Sequence, residues 1–266
     1  MKAFITGATG FIGSHLADRL IADETFTEVR CLVRSTDKWL EGKDFIRVKG
    51  DLNDFNALAK GIKGADVVFH LAAIVKASSQ KEFNMANVSP TEDIIRIAQK
   101  NGVKNLVILS SLAATGPSKG TPVDENKILT PISMYGRSKR DMETSVHQLA
   151  GKNDSIKIIR PPAVYGPRED QIFTYFSTFN KGLSTIVGDG NHPKLSMVYV
   201  KDLVDGIMKA AAFTKKGTHT YFMGGPNEAY SWNQIREITS IVTGWKPIPL
   251  KLKPRWIKKI ASAVEK

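Results

Sequence analysis

The stretch TGATGFIG, Thr6 to Gly13, removes the side chain at Gly7, Gly10 and Gly13 directly after the short apolar run MKAFI. Glycine weakens a strand or a helix interior, so three of them at fixed spacing mean that bare backbone is needed there. Ile12, Leu16 and Leu20 follow at helical spacing, with Ala17 and Ile21 beside them. The glycines therefore lie between a strand and a helix. In that setting the main chain can approach a pyrophosphate, and the helix N-terminus presents unpaired N–H groups and partial positive charge. The spacing is G-x-x-G-x-x-G, not the G-x-G-x-x-G form usual for this role.

The runs KAFIT, EVRCLVR, FIRVKG, DVVFHLA, NLVILSS and IKIIRPP alternate with helix-compatible segments. That rhythm predicts βαβ units and an α/β fold, a Rossmann-type doubly wound parallel sheet. Ser89, Pro90 and Glu92 form S-x-x-E with proline at a first helical position, and Asn101-Gly102 closes the helix. After the Gly- and Pro-containing loop from Thr115 to Pro131, SMYGRSKRDMETSVHQLA again reads as helix. Alternation becomes irregular after Gly166. The expected division is a dinucleotide-binding domain over 1–165 and a smaller, interleaved, mainly substrate-binding region over 166–266.

A chain of 266 residues, 42% of them hydrophobic, can bury a substantial core. One cysteine, Cys31, excludes an intrachain disulfide and any multi-cysteine metal site, and none of the five histidines belongs to a metal-spacing motif, so no metal is expected. A cytoplasmic location follows from that cysteine usage and from the absence of a long apolar run. The net charge of +12 raises the question of a nucleic-acid partner, but the basic residues are dispersed and no nucleic-acid motif accompanies them. The charge is read as favouring anionic cofactors and substrates.

The ribose of a bound dinucleotide belongs at the end of the second strand, about twenty residues beyond the glycines. Arg34 stands there in place of an acid, with Lys38 nearby. A guanidinium pairs with a 2′-phosphate, whereas an acid accepts from a 2′-hydroxyl. NADP is therefore the expected preference over NAD. GDL at Gly50 to Leu52 places Asp51 to meet the adenine amine, and HLAA at His70 to Ala73 ends the fourth strand with small residues that leave room for a cofactor. His70 itself reads as a packed histidine.

Tyr135 and Lys139 in MYGRSKR are four apart and share a helix face. A nearby ammonium stabilises phenolate and is expected to bring the phenol toward working range. Ser110 and Ser111 end the run LVIL, where one hydroxyl can meet a substrate carbonyl.

Taken in order, TGATGFIGSHL, GDL, HLAA, NVSPT, ILSS, YGRSK, RPPAVYGP and YFMGGPNEAYSW resemble the extended short-chain dehydrogenase/reductase family, also called the NAD-dependent epimerase/dehydratase family. The resemblance covers most of the chain. It implies a catalytic Ser111, Tyr135 and Lys139, with Asn87 supporting the site, and cofactor contacts from Gly7, Thr9, Gly10, Phe11, Ile12, Gly13, Arg34, Lys38, Asp51, Leu52, Leu71, Ala72, Ala73, Pro162 and Val164. It also implies a homodimer through the helices that begin near Pro90 and Tyr135. Dehydratases of the family carry an Asp-Glu pair after the serine, where this chain has Leu112, Ala113 and Ala114. Epimerases usually carry asparagine where this chain has Ala163, and often Arg-x-x-x-His where it has Leu195 and Tyr199. The motif forms are closest to the dihydroflavonol-reductase-like and hydroxysteroid-dehydrogenase-like branches.

The expected activity is thus an NAD(P)-dependent oxidoreductase that interconverts a secondary alcohol and a carbonyl in a small molecule. Two alternatives stand beside it: an NAD-dependent nucleotide-sugar epimerase with the same triad, and a dinucleotide-binding sensor or scaffold without turnover. The last residues, KLKPRWIKKIASAVEK, join a basic set to a possible apolar face of Trp256, Ile257, Ile260 and Val264. They are read as part of the substrate region or its truncated continuation, with contact to an anionic membrane as the lesser reading.

Overall fold

The computed structural model describes residues 1–118, 120–226 and 229–252. The basic tail at 253–266, and Asn227 and Glu228 within YFMGGPNEAYSW, lie outside the described residues.

In chain order the elements are β1 (Lys2–Thr6), α1 (Phe11–Ile21), β2 (Glu28–Val33), β3 (Ile46–Lys49), α2 (Phe55–Ile62), β4 (Val67–His70), α3 (Gln80–Asn87), α4 (Ser89–Lys100), β5 (Asn105–Leu109), α5 (Met134–Leu149), β6 (Ser155–Arg160) and β7 (Ala163–Tyr165). There follow α6 (Gln171–Asn180), β8 (Leu183–Val187), β9 (Met197–Tyr199), α7 (Val200–Ala212), β10 (Gly217–Phe222), α8 (Trp232–Thr243) and β11 (Ile248–Leu252). Two compact units result, Met1–Pro162 with Lys201–Met223, and a second containing Ala163–Val200 and 224–252.

In the first unit seven strands form one sheet in the order β10-β6-β5-β4-β1-β2-β3, and every neighbouring pair is parallel. A strand covered on both faces needs apolar residues at successive positions, not alternating ones. VVFH in β4 meets that demand and is buried throughout. On one side of the sheet Phe4 and Val68 pack with Leu58 and Ile62 of α2, Ile94 of α4 and Val146 of α5. Burying each such side chain contributes roughly 1.5–3 kcal/mol. Gly61 in α2 is fixed by this contact, because a Cβ there would fall 2.2 Å from the Phe4 ring. Strand order reverses between β1 and β4, and the crevice at the carboxyl ends of such strands is where ligands gather in this kind of sheet.

The start of α4 departs from the sequence reading. Val88, the residue preceding the helix, has helical backbone angles (φ −93, ψ −60), because α3 runs into α4 with no extended residue between them. Ser89 is thus inside the helix and forms no capping box; the Glu92 carboxylate instead accepts from Ser145 Oγ at 2.7 Å. A capping box does form at Ser231 and Gln234, at the start of α8.

The second unit holds two parallel pairs, β7 with β9 and β8 with β11. Its helices join them through an aromatic group in which Tyr175 meets Trp232 at 5.7 Å between ring centroids and Phe179 meets Trp245 edge-on at 6.5 Å. Cys31, in β2, is fully buried, and burial pushes its thiol up to about 12. Among the described residues no helix is long and apolar enough to cross a membrane, and no cluster of three or more His, Cys, Asp or Glu side chains is arranged to hold a metal ion.

Candidate active site

The three glycines do different work. Gly7 has φ +80, and a Cβ there would lie 2.6 Å from the Ala72 backbone nitrogen, so HLAA can abut the loop only if residue 7 is bare. A Cβ on Gly13 would lie 2.1 Å from the Gly7 carbonyl oxygen, so helix α1 sits directly on its own entry turn. Gly10 is exposed, and beyond the Gly7 carbonyl at 3.2 Å its missing side chain would meet nothing. It precedes α1 without a side-chain cap, and the first turn contains no acid. The orphan N–H groups of this helix start therefore face no acid of their own turn, an arrangement that fits a diphosphate. Thr9, Phe11 and Ile12, half-buried, complete this turn.

Farther along the sheet edge, Arg34 is exposed immediately after β2, and Lys38 is exposed with a φ of 49. Asp37 between them is tied to Arg47. Asp51 is exposed, and one of its carboxylate oxygens accepts from the Asn53 N–H at 2.8 Å, fixing the turn after β3. Leu52 packs against the core, Leu71 is buried and Ala73 is exposed. Pro162 ends the first unit, whereas Val164 lies in β7 of the second.

Ser110 and Ser111, adjacent at the end of β5, have separate fates. The buried Ser110 hydroxyl donates to the Glu143 carboxylate. Ser111 Oγ accepts from the Ala113 N–H at 3.1 Å, capping the short 3₁₀ turn Leu112–Ala114, and its hydroxyl is near enough to the Tyr135 phenol to favour the phenolate. Ser133 caps α5 by accepting from the Gly136 N–H, which places Tyr135 in the first turn and Lys139 one turn later. The Lys139 ammonium donates to the Leu109 carbonyl at 2.8 Å and lies 6.0 Å from the Tyr135 ring centroid.

Electrostatics at this corner differ from the sequence expectation. Burial pushes the Tyr135 phenol up, opposed by the nearby Ser111 hydroxyl. Lys139 is itself so buried that its pKa falls to about 8, with Glu143 pulling in the opposite direction. Glu143 is held by Arg160 through Nη2 at 2.6 Å and Nε at 3.0 Å. Both side chains of this pair are almost fully buried.

Asn87 is 1% exposed and reaches in two directions. Its side chain clasps the Ile74 backbone, accepting from N–H at 2.9 Å and donating to the carbonyl at 3.1 Å, and it also donates to Ser138 Oγ at 3.1 Å. The structure thus brings Ser111, Tyr135, Lys139 and Asn87 to one corner of the first unit. Glu143, Arg160 and Thr91 were not foreseen as members of the surrounding network. Glu143 had a signal available, since it continues the Tyr135–Lys139 face by one further turn; Arg160 had none that separates it from a strand-end cation.

The sequence profile of the NAD dependent epimerase/dehydratase family matches residues 3–224. The chain belongs to that family. It is accordingly an NAD-dependent enzyme of the extended short-chain dehydrogenase/reductase type. An Escherichia coli O157:H7 relative, N-acetyl-alpha-D-glucosaminyl-diphospho-ditrans,octacis-undecaprenol 4-epimerase, is 32% identical over 77% of this chain and 62% of its own length. Ceramide reductase of Caulobacter vibrioides is 28% identical over 93% of this chain and 72% of that protein. Among solved structures, a UDP-glucuronic acid 4-epimerase from Bacillus cereus in complex with UDP-glucuronic acid and NAD superimposes with a TM-score of 0.81 at 27% identity, covering 95% of this chain and 86% of the other. Members of one fold family thus include both epimerases and reductases, and the neighbour's cofactor is NAD.

Proposed function

We propose that this enzyme interconverts a secondary alcohol and a ketone by hydride transfer, and that its net reaction is epimerisation of a sugar carbinol joined to a diphosphate. The observation that carries the first part is the gathering of Tyr135 with the Ser111 hydroxyl and the buried Lys139, whose ammonium lies 6.0 Å from the Tyr135 ring centroid, at the same sheet edge as the uncapped start of α1. The second part is supported by the epimerases among relatives and structural neighbours.

A bound nicotinamide dinucleotide supplies the hydride acceptor and donor. Tyr135 Oη takes the proton of the substrate hydroxyl as the carbinol is oxidised and returns it when the carbonyl is reduced. Ser111 donates a hydrogen bond to the same substrate oxygen, where negative charge develops. Lys139 would hold ribose hydroxyls of the cofactor, and its charge would favour the phenolate. The loop from Gly7 to Gly13 would hold the diphosphate, and Arg34 with Lys38 would meet the adenosine ribose, where a 2′-phosphate is their best match.

Ketone reduction is the second reading. It is favoured by the Leu112–Ala114 turn beside Ser111, which offers only apolar side chains where a sugar's hydroxyls ask for polar ones. Product NMR on a panel of diphosphate-linked sugars, without added cofactor, tests the first reading; net consumption of NADH or NADPH with ketones and no epimer formed would replace it with the second. Arg34→Asp is expected to shift the NADP/NAD dissociation-constant ratio about tenfold toward NAD, the worth of one charge-assisted pair. An unchanged ratio removes Arg34 from cofactor choice.

A further inference from the structure

Between the glycine turn and the catalytic helix lies a run of buried polar side chains that the chemistry above does not use. Thr6 Oγ1 is 2.7 Å from His70 Nδ1, and His70 Nε2 is 2.9 Å from Thr91 Oγ1. Thr91 Oγ1 in turn donates to the Asn87 carbonyl at 2.8 Å. None of these four residues is more than 2% exposed.

Proton counting fixes the direction of the whole run. A carbonyl only accepts, so the single Thr91 hydroxyl proton goes to Asn87, and Thr91 Oγ1 must accept from His70. His70 therefore carries its proton on Nε2, and its Nδ1 accepts from the Thr6 hydroxyl. Burial together with the Lys139 charge holds the imidazole neutral, with a pKa lowered to about 3. From Asn87 the run continues through the side-chain amide to Ser138 Oγ, and Ser138 donates to the Tyr135 carbonyl at 2.8 Å. Bonds that all point one way polarise one another, and a buried member left unpartnered is costly.

We infer that His70 is a positioning residue that holds the diphosphate-binding turn and the Tyr135 helix in fixed register, each ring nitrogen serving one side of the site. Thr6 is the residue from which the glycine turn leaves β1, and Leu71 N–H donates back to the Thr6 carbonyl at 3.1 Å. The Nδ1 side therefore governs cofactor affinity, and the Nε2 side governs the catalytic helix. The inference rests on the reaction proposed above for the role of Tyr135, but its two readouts need no substrate.

The two halves separate by substitution, because an Asn carboxamide oxygen can take the place of Nδ1 and a Gln amide nitrogen can take the place of Nε2. His70→Asn keeps the acceptor for Thr6, and His70→Gln keeps the donor to Thr91. Calorimetry with NAD should show H70Q binding about tenfold more weakly and H70N within about threefold of the native protein, the scale of one lost buried hydrogen bond. Ultraviolet titration of the Tyr135 phenol, taken as the difference from Tyr135→Phe in the same background, should be shifted in H70N and close to native in H70Q. Native values for both variants in both measurements, or equal losses that follow a lowered melting temperature, overturn the inference. Failure of the proposed reaction appears separately, as a native protein that binds NAD and turns over neither sugars nor ketones.

Discussion

At the β1–α1 turn the protein offers main chain to the proposed diphosphate: Gly10 stands open, α1 begins uncapped, and its first turn carries no acidic residue. At the β5–α5 corner the working surface is all side chain, with Ser110, Lys139, Glu143 and Arg160 buried behind Ser111 and Tyr135. The first arrangement tolerates no added atom at Gly7 or Gly13 and acts through the partial positive charge of a helix start whose first turn carries no acid. The second has room for conservative exchange but depends on every buried charge having its partner. A nucleotide's diphosphate is the same for every substrate, so a rigid cradle suffices; proton transfer needs tunable acidity, which only side chains supply.

The largest effect should come from removing the proton carrier at the side-chain corner. Tyr135→Phe is expected to lower kcat by about 10²–10⁴-fold, the usual scale of positioned acid–base catalysis, while leaving NAD affinity near native. Steady-state rates with calorimetry in parallel check this, and full turnover in the variant would remove Tyr135 from the mechanism.

Next in size is Glu143→Gln. Leaving the Arg160 guanidinium buried without its carboxylate should cost about 3–5 kcal/mol in urea unfolding. It also withdraws the charge that raises the Lys139 pKa, so the alkaline fall in kcat/KM, expected near pH 8, should move to lower pH. An unmoved limb would mean that Lys139 is not the group titrating.

Gly13→Ala should strike the backbone side alone. Forcing a Cβ to within 2.1 Å of the Gly7 carbonyl requires the turn to shift, at about 1–3 kcal/mol, and NAD binding should fall while the phenol titration stays put. Should the phenol move as much as the cofactor affinity, the two halves are not separable in this way.

A further effect concerns acid stability. The folded-state pKa of His70, about 3, lies below its ordinary 6.5, so between those values the unfolded chain binds a proton that the folded protein refuses. Stability should therefore fall as pH drops through that window, by up to about 1.4 kcal/mol per pH unit from this group. His70→Gln removes a titrating group, and its stability curve should be flatter over the same range; parallel curves would place the histidine's proton elsewhere.

The main-chain half was legible because spacing alone encodes it: three glycines, a preceding apolar run and a helical repeat stand within about twenty consecutive residues. The parallel sheet was legible for the same reason, since strands buried on both faces leave continuous apolar runs such as VVFH. The side-chain half was legible only as far as one helix reaches. Tyr135 and Lys139 are neighbours by helical geometry, but Glu143 with Arg160, or His70 with Thr6 and Thr91, are pairings made by sheet order. The capping signal at Ser89 misled because local pattern cannot see that α3 ends one residue too late to leave an extended cap. The direction of the Tyr135 shift was missed because burial, its largest cause, is a property of packing and not of spacing.

Cys31 has a practical consequence for the experiments above. Its thiol is the chain's only one, lies fully covered in β2 and keeps its proton at any ordinary pH. Maleimide dyes and spin labels should pass the native protein by, so a cysteine introduced at a surface site can carry a single reporter without first engineering a thiol-free background.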